Sequence, residues 1–396
     1  YRAEPDWDVA TDARPEEVLH LFRRTVPVGV EHGTVGVLSR GRLFEVTTFR
    51  RDIETDGRHA TVRFAETIHE DLERRDFTIN AMAWRPSTGE VEDPHGGASD
   101  LAEGVLRAVG TPEERFREDY LRILRGFRFA GRFDLEIEPE TRRAMREAVP
   151  GLSGLSAERI REELMKVLED ERPSTALELY TVFGALDHWY PELARPAADR
   201  ARWMKTLAAV DALRPHRGLL RAARLLAAVS DDAAERGEAS AALLERLRFS
   251  NADRRTVTRR AEAYLPFVGP MDSSAEQRRW LSDTGPAWRD VFRMHMADAR
   301  AAGTDRAAGY IVATWRAVHD VWLERPPLSV SDLAIRGDDV LELGVPRGPL
   351  VGLVLDELLQ QTLEDPTLND REALLGEAAR LVEMGWLVPG ESADGR

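Results

Sequence analysis

Apolar residues recur at two different periods along this chain, and the change of period divides it. In DWDVAT (Asp6–Thr11) they alternate with polar residues, the rhythm of a half-buried strand. PEEVLHLFRRTV (Pro15–Val26) spaces Val18, Leu21 and Phe22 at helical intervals, behind a proline suited to the first helical position. GTVGVL, LFEVTTF and ATVRF read as short strands separated by turns at Arg40-Gly41 and Asp56-Gly57, and EVEDPHGG closes this mixed part. Beyond residue 112 the period stays helical. PEERFREDYLRILRGFRFAGRF predicts one continuous helix through Phe116, Tyr120, Ile123, Leu124 and Phe127, stopping near Gly131. PETRRAMREAVPGL and SAERIREELMKVLED follow as helices, the second capped by Ser156. Residues 175–325 carry few strand signals and read as a helical body. Pro326-Pro327 breaks it, and a last helix starts near Pro349. The expected fold is a mixed α/β head followed by an all-α remainder.

Composition narrows the class. The chain has 396 residues, 43% hydrophobic and 32% charged, which is enough for a globular core in two to four domains. It holds no run of 18 apolar residues and no cationic, apolar leader, so neither a membrane partner nor export is expected. There is no cysteine. That excludes disulfides, thiolate zinc sites and cysteine nucleophiles, and fits a cytoplasmic location. The formal net charge of −15 argues against a broadly basic surface, so local clusters matter more. RLRFSNADRRTVTRR (Arg246–Arg260) has six arginines and one acid, and reads as a solvated basic helix face.

Asp6 and Asp8 flank Trp7. On a strand both carboxylates share one face, with Trp7 and Val9 turned to the core. With 70 acids in the chain such a pattern arises by chance roughly a dozen times, so two readings stand: solvated acids, or ligands for a divalent cation. Carboxylates held close together repel unless a cation neutralises them, and Mg²⁺ suits oxygen-only ligands. Glu45 in LFEVTTF offers a third acid from a neighbouring strand. In RRDFTINAMA, Arg75 can fork onto phosphate or ribose oxygens, Asp76 can orient that arginine or cap a helix, and Asn80 can read a ribose hydroxyl. In EDYLRILRGFRF, Asp119, Arg122, Arg125 and Arg128 recur every third residue. On one helix Asp119 and Arg122 are neighbours, and the other two arginines wind away from them. A carboxylate beside a guanidinium matches the amine and ring nitrogen of cytosine or adenine and opposes uracil and guanine.

These segments, in this order, resemble class II tRNA nucleotidyltransferases, the CCA-adding family of the polymerase-β-like superfamily that also holds bacterial poly(A) polymerases. The resemblance is carried by DWDVAT, FEVTTFR, DLERRDFTINAMA, DPHGGASDL, PEERFREDYLRILRGFRFAGRF and GLSAERIREEL, over residues 1 to about 180. It weakens to a short match at LELGVPRGPLVG. It implies template-independent addition of CCA to the tRNA 3′ end from CTP and ATP. Asp6 and Asp8 would bind Mg²⁺, with Glu45 the third catalytic carboxylate. Arg75, Asp76 and Asn80 would lie beside the nucleotide, Asp119 and Arg122 would act as an amino-acid template, and Arg125 and Arg128 would hold triphosphate or neighbouring groups. Asp93 and Gly97 would form a hinge, and Arg159 would anchor the template helix.

The implied architecture is a polymerase-β-like head over residues 1–112, a neck over 113–180, a helical body over 181–325 and a tRNA-contacting tail over 326–396. DNA is not an expected partner. The family's Gly-Gly phosphate loop precedes the acid pair, whereas this sequence begins five residues before Asp6. The expectation is therefore a fragment of a longer protein, poorly folded and inactive as given. RRDIETDGRHATVRF has the length of the flexible loop that full CCA-adding relatives carry. The other activities to weigh are CC-only or A-only addition, poly(A) synthesis, and RNA binding without catalysis.

Overall fold

The computed structural model describes residues 7–30, 33–55, 60–264 and 271–383, with backbone alone over 51–55 and 60–63. The chain divides into two compact units. One is Tyr1–Arg200 with His216–Gly218 and Ala242–Ser250; the other is Ala201–Pro215, Leu219–Ala241 and the chain from Asn251 on.

The first unit opens with β1 (Asp8–Thr11), α1 (Pro15–Leu21), β2 (Thr25–Gly29), β3 (Thr34–Ser39) and β4 (Arg42–Thr48). The strands form a sheet in the order β1-β4-β3-β2, with β1 parallel to β4 and β3 antiparallel to both neighbours. Val35 and Val37 alternate onto one face of β3, Val46 pairs with Val35, and Val18 of α1 closes over them. Trp7 and Val9 depart from expectation. Register sets Val9 beside Val46, on the core face, yet Trp7 is 49% and Val9 41% exposed. The reason is position: β1 edges the described sheet, and α1 covers β3 and β4. Trp7 instead packs on Trp84, ring centroids 5.7 Å apart.

ATVRF is a strand as read: the segment with the length of the relatives' flexible loop pairs as a hairpin, β5 (Arg50–Thr55) with β6 (Ala60–Phe64). Next come α2 (Ile68–Glu73), a 3₁₀ turn at Thr78–Asn80, the hairpin β7 (Ala83–Arg85) and β8 (Glu90–Glu92), and α3 (Gly97–Glu103). Asp93, the expected hinge residue, accepts the N–H groups of Gly97 and Ala98 at 2.7 and 3.0 Å and so starts α3. Gly97 must be glycine: a Cβ there would stand 2.1 Å from the Thr78 carbonyl oxygen.

The helical half of this unit follows β9 (Val105–Leu106). It contains α4 (Pro112–Glu118), α5 (Leu121–Phe133), β10 (Glu136–Ile137), α6 (Pro139–Ala148), a 3₁₀ run at Val149–Gly154, α7 (Ala157–Glu169), α8 (Pro173–Val182), α9 (Leu186–Trp189) and α10 (Pro191–Ala198). The single helix expected over 112–131 is two, α4 and α5. Asp119 is extended at φ −155° and ψ 106°, and its Oδ1 takes the Leu121 N–H at 3.0 Å, a local bond that competes with helix continuation. Gly131 does not stop α5, which runs to Phe133 and ends at left-handed Asp134. Its role is close approach, because a Cβ there would lie 2.8 Å from the Ala176 backbone nitrogen of α8. Ser156 occupies the cap position of α7, but its side chain makes no capping bond.

The second unit is helical throughout its described residues. Leu281, Trp288, Phe292, Ile311 and Val318 make one core cluster. Leu333, Val340, Leu358, Leu374 and Ala378 make another, in the C-terminal part. Buried Arg236 donates to the carbonyls of Ser230, Ala261 and Glu262, and Arg278 to those of Leu363 and Glu364. Each arginine thus takes up carbonyls at a helix C-terminus that have no partner within the helix.

Candidate active site

Parallel pairing of β1 with β4 sets Asp8 directly beside Glu45. Register partners on parallel neighbours share a face, so the two carboxylates stand side by side, both exposed. Asp6 lies outside the described residues. Among the described residues no group of three His, Asp or Glu gathers into a cation site. The donor chemistry still fits a hard divalent ion: two oxygen-only ligands on one exposed strand face.

The arginine-rich turn after α2 is held by acids, though not by the one expected. Asp71, 1% exposed, accepts from Arg74 Nε at 3.3 Å, from Arg75 Nη2 at 3.0 Å and from the Arg50 backbone at 3.0 Å. Burial pushes its carboxyl up, but Arg75 and Arg74 outweigh this and hold it below the usual carboxylate range. Asp76 does not orient Arg75. Its Oδ1 accepts from Phe77 N at 2.9 Å and Asn80 Nδ2 at 3.0 Å, and its Oδ2 from Arg125 Nε at 2.7 Å. Burial raises this carboxyl too, and Arg125 with the Asn80 and Phe77 donors brings it below its ordinary value. Asp76 thereby ties Asn80 to Arg125, so α5 is bonded to the turn.

Asp119 and Arg122 do not meet as an i, i+3 side-chain pair. Asp119 Oδ2 accepts from Arg159 Nη2 of α7 at 2.6 Å, while its carbonyl takes the Arg122 N–H at 3.1 Å. The buried Arg122 guanidinium turns the other way. Nη1 donates to Glu118 Oε2 at 2.5 Å and the Arg115 carbonyl at 2.9 Å, and Nη2 donates to the Arg74 carbonyl at 3.0 Å. Arg128 departs furthest from expectation. It donates to Glu163 Oε1 at 2.5 Å with both side chains buried, and its guanidinium lies 4.3 Å from the Phe129 ring centre. That geometry spends it on packing, whereas Arg125 stays one-third exposed.

Two comparisons bear on family. A model described as the poly A polymerase head domain matches residues 1–107, and one described as a probable RNA and SrmB-binding site of polymerase A matches 134–195. A CCA-adding enzyme of Levilactobacillus brevis is 32% identical over 374 residues, covering 93% of this chain and 88% of that relative. The chain belongs to the CCA-adding enzyme family. A family member from Enterococcus faecalis is 50% identical over 165 residues, 41% of this chain and 40% of its own. The crystal structure of the Bacillus stearothermophilus CCA-adding enzyme in complex with CTP superposes with a TM-score of 0.74 at 29% identity, covering 97% of this chain and 91% of the other.

In this member of the CCA-adding family, residues that motif reading passed over support those it named. Asp71 is three and four positions before Arg74 and Arg75, a helical spacing legible in the sequence. Glu118 likewise precedes Arg122 by four. Glu163 carried no such signal, since its partner Arg128 is 35 residues away and only packing brings them together.

Proposed function

We propose that this protein adds CCA to the 3′ end of tRNA from CTP and ATP, without a nucleic-acid template, by divalent-metal-dependent nucleotidyl transfer. The observation that carries this is the register placing Asp8 beside Glu45 on one exposed strand face, within a chain alike to CCA-adding enzymes over nearly its whole length. Asp8 and Glu45, with Asp6, would hold Mg²⁺. When bound, such an ion favours the nucleophilic form of a hydroxyl and neutralises phosphate charge.

The chain's own residues would do the rest. Asp119, held by Leu121 N and Arg159, keeps lone pairs to accept the exocyclic amine of cytosine or adenine. Arg122 has three of its five guanidinium N–H groups spent on Glu118, Arg115 and Arg74, and its remaining donors would meet the base's ring nitrogen once the side chain turns from its buried position towards Asp119. Arg125 and Arg75 would attract phosphate and ribose oxygens, while Arg128 serves to fix α5. Residues 1–112, 113–180, 181–325 and 326–396 are assigned as head, neck, body and tRNA-contacting tail. Among the described residues no helix is long and apolar enough to cross a membrane, and a cytoplasmic setting suits a tRNA substrate.

The test is incorporation. Protein is incubated with tRNA lacking its 3′ end, Mg²⁺ and labelled single nucleotides. Addition of C then A, stopping after three residues, supports the proposal. Long A tails would assign poly(A) synthesis, and binding without incorporation a non-catalytic role. Asp8→Asn is expected to lower the incorporation rate about a thousandfold while leaving tRNA affinity unchanged, as expected for loss of a metal-binding carboxylate.

A further inference from the structure

Asp119 stands where α4 ends and α5 has not begun, its backbone tied to α5 only through its carbonyl, which accepts the Arg122 N–H. The next residue, Tyr120, is the N-cap of α5, and its half-buried ring is seated against Gly151 in the 3₁₀ run Val149–Gly154. A Cβ at Gly151 would stand 2.2 Å from Tyr120 Cε1 and 2.4 Å from both Cδ1 and Cζ. A side chain there and this ring position exclude one another. Gly151 has no positive φ, so backbone freedom does not explain the glycine, and the approach of the ring does.

The same segment supplies the other support. Eight residues after Gly151, Arg159 donates to Asp119 Oδ2 at 2.6 Å. Between them Leu152 and Leu155 are buried and so anchor the segment in the core, with a 3.1 Å hydrogen bond from Leu155 N to the Leu152 carbonyl fixing its local turn. The Asp119-Tyr120 dipeptide is gripped twice: its carboxylate by Arg159 and its aromatic ring by the surface at Gly151.

We propose that Gly151 is a positioning residue for nucleotide choice: through Tyr120 it sets where the Asp119 carboxylate points, without touching a nucleotide. This rests on the proposed role of Asp119. Displacing the ring by an added methyl moves the adjoining peptide, and selection by hydrogen bonds falls steeply with misplacement of about 1 Å.

The experiment uses the full chain and compares wild type with Gly151→Ala, Tyr120→Ala and the double variant. It measures kcat and KM for CTP, ATP, UTP and GTP on tRNA lacking its 3′ end, together with tRNA Kd and Tm. Gly151→Ala is expected to raise KM for CTP and ATP about tenfold and to lower preference for C over U by a similar factor, with tRNA Kd within about twofold. In the Tyr120→Ala background Gly151→Ala is expected to add little, because the ring that transmits the push is gone. Unchanged nucleotide selectivity in a folded Gly151→Ala protein overturns the proposal, as do effects of the two substitutions that add independently. If Gly151→Ala does not fold, Tyr120→Ala decides alone: retained selectivity there also overturns it. A wild-type protein that fails to prefer C and A refutes the role of Asp119 instead, before any variant is compared.

Discussion

At the residue scale, the chemistry turns on where a few guanidinium groups are committed. Arg122 bridges Glu118, the Arg115 carbonyl and the Arg74 carbonyl through two nitrogens set in one plane. A lysine keeps the charge but cannot serve diverging acceptors in fixed geometry. Arg122→Lys is therefore expected to lower discrimination of C and A against U and G by about tenfold, worth ~1.4 kcal/mol, while tRNA affinity changes less. Single-turnover incorporation of each of the four nucleotides measures it, and unchanged discrimination would remove Arg122 from the selecting group. Sequence spacing had grouped Asp119, Arg122, Arg125 and Arg128 on one helix and had set Asp76 beside Arg75. It had paired them wrongly. Arg75 belongs to Asp71, four positions earlier, and Arg125 to Asp76, because α5 packs against the turn after α2, a contact between residues about fifty positions apart.

At the scale of elements, α5 organises the first unit. Phe127, Ile123, Leu124 and Ala130 are buried along it, and Arg128 reaches α7 to meet Glu163 in a pair that is 7% and 1% exposed. Removing one charge from such a pair leaves the other buried without compensation. Glu163→Gln is expected to destabilise the protein by about 3–5 kcal/mol. Urea unfolding measures it, and a change below about 1 kcal/mol would return Arg128 to the group of exposed phosphate ligands. The helical period of residues 112–133 was legible, but the interruption at Asp119 was not. Periodicity records which faces are apolar, and Phe116, Ile123 and Phe127 are buried whether or not the axis is continuous. The break depends on one side-chain oxygen taking the Leu121 N–H, which no apolar pattern encodes.

At the scale of the whole molecule, some charges are spent within the fold and others stay on its surface. The arginine-rich run at 246–260 was read as a solvated basic face, and Arg248, Arg255 and Arg259 are exposed as that reading expects, whereas Arg246 pairs with Glu192 and Arg260 with Asp290 in half-buried positions. In the second unit His295 is 4% exposed against Tyr264 and Phe292, with Asp298 and Arg224 nearby. Burial pushes its imidazole down from 6.5 to about 4, with Asp298 opposing and Arg224 adding to the effect. Between those values the unfolded chain binds a proton that the folded one refuses. The stability tied to neutral His295 is thus complete above pH 6.5 and drains away as pH falls towards 4, by at most about 1.4 kcal/mol per pH unit. The Tm of wild type is expected to fall over that interval, and His295→Gln is expected to flatten the fall. An equally steep decline in the variant would assign the acid sensitivity to carboxylates instead.

The sequence by itself determined the class of architecture and the family, because apolar period and short motifs are local quantities that survive without coordinates. Strands β3 and β4 and the helical remainder were readable in this way. Only the tertiary structure decided which charge meets which, that Trp7 and Val9 lie on an uncovered edge, and that Asp119 stands outside a helix. Those outcomes depend on packing between distant segments, where burial raises the cost of an unpaired charge and so forces each arginine to the nearest acceptor the fold provides.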